Sequence, residues 1–173
     1  MSLDISKVIG GAVQVKVDNV AVAHTRGGVT VNINPEVREQ TVDQHGNTAI
    51  GVVHVGDSVR CTVPYVQWDA ATLREMYEPG LDSTTSSTGN EFLGVGRSAG
   101  FVYTARDLKL IPFISSEQAK SIQFWRATPV GDLEIALTNE DDRILEREYV
   151  CMADPAHHAE GEFIGRLWLN FAP

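Results

Sequence analysis

Apolar and polar residues alternate along much of the first half of the chain. Val13, Val15 and Val17 are separated by Gln14 and Lys16, and Val29, Val31 and Ile33 by Thr30 and Asn32. Val53, Val55, Val59, Cys61 and Val63 follow around Gly56-Asp57, which reads as a turn. Period-two patterning with β-branched residues marks strands that bury one face. Asp18-Asn19, Arg26-Gly27-Gly28 and His45-Gly46-Asn47 supply the turn chemistry between them. In the second half the pattern predicts strands over 101–104, 108–113, 121–127, 133–137, 143–152 and 163–169.

The period changes once. Asp69 is a good N-cap, because its carboxylate accepts free backbone N–H groups. Over 70–77, Leu73, Met76 and Tyr77 then fall on one helical face, and Pro79-Gly80 stops the helix. A polar run follows over 81–90, expected to be flexible. It reads either as a disordered surface loop or as a segment that orders only against a neighbouring subunit. There is no internal repeat and no interdomain linker, so residues 1–173 form one domain. Many short strands, one helix and frequent turns predict an all-β fold, an antiparallel sandwich or barrel with one flanking α-helix.

Composition narrows the function. Fourteen Lys and Arg against 23 Asp and Glu leave a net charge of −9. Gripping nucleic acid by phosphate neutralisation needs clustered basic residues, so this balance argues against it. It suits a surface that DNA can slide past. Cys61 and Cys151 lie far apart and have no metal-ligand spacing, and they read as buried or half-buried thiols in a reducing compartment rather than as a single disulfide. No apolar stretch approaches the ~20 residues of a membrane-spanning helix. Met1-Ser2-Leu3-Asp4 lacks the start of a secretory signal, and synthesis and folding in the cytoplasm are expected.

Several short motifs suggest chemistry. Gly96-Arg97-Ser98-Ala99-Gly100 matches the G-x-S-x-G elbow of α/β-hydrolases, with Asp132 or Asp154 and His157 or His158 in the right chain order. That elbow needs a strand before the serine and a helix after it, whereas Phe101-Val102-Tyr103-Thr104 reads as strand. His157-His158 would point opposite ways on an extended chain and suit a loop better than a metal. Glu140-Asp141-Asp142 lacks the oxygen ligands of a calcium loop and reads as a hairpin turn. Glu134, Glu146 and Glu148 read as a wet strand face rather than a glycosidase pair. Trp68, Trp125 and Trp168 read as core or interface anchors. No catalytic residue, cofactor or metal is expected.

Three stretches carry a family resemblance. The first is Gly28 to Asn32 followed by Pro35 to Thr48, leading through Gly56 to Trp68 into 69–77. The second is Ala105-Arg106-Asp107-Leu108-Lys109-Leu110-Ile111-Pro112. The third runs from Phe124-Trp125-Arg126-Ala127 through Pro129 to Glu134 and Asp141 to Leu145, ending in Ala153-Asp154-Pro155. In order and spacing these resemble the tail tube (major tail) proteins of long-tailed bacteriophages. Ala49 stands where that family often has proline.

The resemblance implies a virion protein of the phage tail, assembled in the host bacterial cytoplasm. It implies a β-sandwich with a flanking helix, hexameric rings whose inner sheets close into one lumen, and rings stacked around a tape-measure protein that DNA later replaces. Its partners would be copies of itself, the tape-measure protein, and tail terminator and baseplate or tail-tip proteins. DNA would pass without specific binding. The competing readings are a type VI secretion-like tube or another β-sandwich virion protein such as a capsid decoration protein, and an enzyme using Ser98.

Edge strands left open in a single sandwich would be satisfied by neighbouring copies. Candidate interface residues are Leu3 and Ile5 in an N-terminal arm (1–6), Thr84 and Thr85 in the polar run, and Leu81, Phe92 and Leu93 beside it. The flanking apolar residues could equally pack on their own subunit, and for Phe92 that placement is favoured.

Overall fold

The computed structural model describes residues 12–23, 25–41, 48–66, 73, 84–85, 91–92, 99–100, 102–114, 120–130, 144–160 and 162–168. The alternating valines form strands as their pattern requires. In chain order they are β1 Val13–Val17, β2 Val20–Ala23, β3 Thr30–Thr41, β4 Ala49–Tyr65, β5 Thr84–Thr85, β6 Glu91–Phe92, β7 Arg106–Pro112, β8 Ile122–Val130, β9 Leu145–Met152 and β10 Gly165–Leu167. A 3-10 turn, Pro155–Glu160, lies between β9 and β10.

Every described pairing is antiparallel. One sheet runs β2-β1-β7-β8-β9-β4-β3, with β10 added alongside β8, and β5 pairs β6 separately. The sheet nearly closes on itself. Thr25, just past β2, donates its hydroxyl to Val13 O at 3.0 Å and bridges to Tyr65 of β4. Arg26 N–H donates to Pro64 O at 3.2 Å. The strand that begins beside β1 thus bends through Gly27 and Gly28 to pair with β4. Both glycines have positive φ, 96° and 89°, a region that side chains disfavour. Asp18 and Asn19, at φ 50° and 67°, make the tight β1–β2 turn, a conformation these two residue types tolerate well.

The core fills the inside of this shell. Val15, Val17, Val59, Cys61, Val63, Tyr65, Leu108, Leu110, Phe124, Ala127, Leu145, Tyr149 and Cys151 form one buried cluster. Within β1, β4 and β9 these residues recur every second position, as a sheet with one buried face demands. Tyr65 and Tyr149 satisfy each other's hydroxyls at 2.8 Å inside it. Burial pushes both thiols up to about 12, with the neighbouring Cys61 adding to the shift at Cys151. They are inert packing groups in ordinary conditions.

Three expectations change. The flanking helix is not part of the described fold: of 69–77 only Leu73 is described, and it packs half-buried against the core cluster, the role its helical spacing assigned to it. Gly56-Asp57 does not turn the chain. It lies within the unbroken strand β4, because β3 pairs with both halves of β4 and holds it extended. Residues 102–104 join no ladder, since β1 ends at Asp18, whose N–H donates to Asp107 O at 2.9 Å. Beyond that point β7 has no β1 to pair with. The strand expected over 133–137 and the turns at His45 and Glu140 lie outside the described residues.

Candidate assembly surface

The β3–β4 hairpin outruns the rest of the sheet. β9 pairs with β4 only from Val59 to Tyr65. Below Val59, β4 has β3 on one side and no strand on the other among the described residues. The hairpin therefore continues as a two-stranded ribbon, Asn34 to Thr41 against Ala49 to Ser58. Two-stranded ribbons are marginal in water unless something packs on them.

Side-chain parity explains what this ribbon displays. Val31 faces Cys61 and Ile33 faces Val59 on the core side. β3 keeps its parity outward, so Pro35 and Val37 stay on that side. On β4 the pairing jumps from Glu36–Gly56 to Val37–His54, which makes Val55 an extra, bulged residue. The bulge flips β4 so that His54 and Val52 join Val37 on the core side. His54 consequently meets Asp57 there, Nε2 to Oδ1 at 3.0 Å. Val37 and Val52 thus lie on the core side beyond the end of the core, interleaved with Asp57, His54 and Glu39, and a second register shift makes Ile50 another extra residue. Val37 is 59% exposed, Val52 63%, Val55 63% and Ile50 55%. Clustered apolar exposure of this kind marks an interaction surface.

At the root of the ribbon lies a cleft of about 200 Å³ lined by Ile33, Asp57, Val59, Phe124, Ile164 and Leu167 among others. Its far wall is β10 and the residues before it. β10 lies tightly on β8 because residue 165 is glycine: a Cβ there would collide with the Gln123 carbonyl oxygen and the Phe124 ring. The outer side of this wall is fixed by a stack. His157 lies flat on Trp125 at 3.9 Å, and the Arg166 guanidinium sits over Trp125 at 5.6 Å and Trp168 at 4.7 Å. Glu162 Oε2 accepts from Arg166 Nε at 2.6 Å, while Trp125 Nε1–H donates to Glu162 O at 2.9 Å. These ties give Trp125, Trp168 and His157 a structural task.

The residues singled out in the sequence fare differently. Leu3, Ile5, Leu81 and Leu93 lie outside the described residues, as do Ser98, Asp132 and Trp68. Thr84 and Thr85 pair through their backbones with Phe92 and Glu91. Asp154 caps its own turn, accepting from Ala156 N–H at 3.1 Å, and His157 is engaged with Trp125. An all-antiparallel sheet does not supply the parallel strand-elbow-helix setting that an α/β-hydrolase serine needs. Glu148 pairs with Arg60 at 2.9 Å on the outer face, and Glu146 is exposed beside it. Sequence reasoning missed the ribbon. Its signal was present in Val52, Val53 and Val55, but Val53 and Val55 read as one run with the core valines Val59 and Val63.

No protein-family model matches the sequence, and no curated protein matches it. Among solved structures the chain is similar to one from the virion of a native gene transfer agent (GTA) particle. That match has 13% identity, covers 83% of this chain and 93% of that one, and has a TM-score of 0.48. It is also similar to Hcp1 from Flavobacterium johnsoniae, at 13% identity over 81% of this chain and 89% of that one, with a TM-score of 0.38. Both likenesses are distant.

Proposed function

We propose that this chain is a non-enzymatic structural subunit that assembles with copies of itself into stacked rings, the tube of a long-tailed phage tail. The observation that carries the reading is the ribbon. It runs beyond the core and leaves Val37, Ile50, Val52 and Val55 more than half exposed in the single subunit. A soluble chain that keeps such a surface needs a partner for it. Copies of the same chain are the simplest source, because head-to-tail contacts close into rings or extend into filaments.

The sequence supports the finer reading. The resemblance to tail tube proteins spans most of the chain, and the −9 balance suits a lumen through which DNA moves without sticking. Purified protein at high concentration should form rings or tubes with an open centre in negative-stain microscopy. Monodisperse monomers at every concentration would refute the proposal.

A further inference from the structure

We infer that the open edge of β4 over 49–55 pairs antiparallel with the same edge of a second copy, in a two-fold dimer that hides the ribbon before tubes form. This inference rests on the self-assembly reading and adds a resting state to it. The two strands of the ribbon differ in character. β3 over 35–41 is built to end a sheet. Pro35 has no N–H to offer an added strand, and Glu36, Arg38 and Glu39 put charge along it. β4 over 49–55 is built like an interior strand. Ala49-Ile50-Gly51-Val52-Val53-His54-Val55 contains no proline and no Asp, Glu, Lys or Arg. His54 is held by Asp57 at 3.0 Å. Yet β9 stops at the Val59–Cys151 pair, so among the described residues this stretch has a neighbour, β3, on one side alone. A strand turns every second residue's N–H and C=O away from its partner, so the open side offers donors and acceptors beside exposed valines.

Elimination selects the occupant. The β3 edge of a neighbour brings Pro35 and the charges, and β10 is three residues long with Arg166 at its centre, held by Glu162. A second β4 brings an equally long, uncharged, proline-free edge. The sheet so formed runs β3-β4-β4-β3, with the apolar strands inside and the protected strands at both borders. Arg38 and Glu39 stay on the outer strands. With the two-fold axis near Val52, the two Asp57 carboxylates stand roughly 30 Å apart at ~3.3 Å per residue. Such a contact joins identical surfaces and closes at two copies. It holds subunits back from the tube and has to open before the ribbon serves there.

The test is dipolar spectroscopy of nitroxide labels on two single variants, Glu39→Cys and Asn34→Cys. Both positions are exposed and lie on β3, outside the proposed contact, and the native thiols are buried and take no label. Below the concentration at which rings appear, labels at 39 should lie roughly 15–20 Å apart across the two inner strands. Labels at 34 should lie roughly 35 Å apart, because distance from a two-fold axis counts twice. Equal distances from the two variants would mean a head-to-tail contact and would overturn the inference while leaving self-assembly intact. So would the absence of any intermolecular distance in protein that forms rings when concentrated. A wild-type chain that never associates would overturn both.

Discussion

Replacing Val37 and Val52 together by aspartate is expected to yield a folded monomer that no longer assembles. Both side chains are more than half exposed in the single subunit, so the change takes nothing from its core. In an assembly that covers them, each lost valine removes about 1.5–3 kcal/mol of burial. Each introduced carboxylate adds a desolvation cost on top. The sum per contact exceeds about 3 kcal/mol, which raises the concentration needed for assembly more than ~100-fold. Sedimentation velocity reads the assembly, and a thermal melt reads the fold. A variant that assembles at the wild-type concentration would remove the ribbon from the interface.

Phe124→Ala is expected to act on stability instead, lowering it by about 3–5 kcal/mol. Phe124 is 2% exposed and sits where three elements meet. It pairs with Leu108 of β7 and Gly165 of β10, and its ring contributes to the floor of the cleft. Because residue 165 has no side chain to move inward, the space left by the ring would stay largely empty. Domains of this size have about 5–15 kcal/mol in hand, so the loss is a large fraction. Urea titration measures it, and a change below about 1 kcal/mol would show that the site collapses or was never tightly packed.

The barrel wall was legible because its residues obey one rule. Val13 to Val17, Val59 to Val63 and Leu145 to Cys151 alternate, and a sheet with one buried face leaves such a sequence few choices. Arg147 shows the limit: it takes the inner parity between Leu145 and Tyr149 and is buried, which its charge would never suggest. The strand over 101–104 failed for a non-local reason, the departure of β1 at Asp18. Gly56 misled because glycine serves turns and bulges alike, and the partner strand decides between them.

The assembly surface was harder to read for the same reason. Alternation states which side a valine faces, not whether a core lies on that side. Val37 and Val59 carry the same local signal, yet one is exposed and the other buried. The difference lies in where β9 ends. The sequence pointed to association through other residues, Leu3, Ile5 and the 81–93 region, most of which lie outside the described structure.

Hydrogen–deuterium exchange of the ribbon, compared between dilute monomer and assembled protein, bears most directly on whether a second copy covers it. Amides of residues 34–41 and 49–58 should exchange quickly in the monomer and slow by at least about tenfold on assembly, while the β1, β7 and β8 core changes little. Unchanged ribbon exchange, with new protection appearing elsewhere on the subunit, would contradict the account.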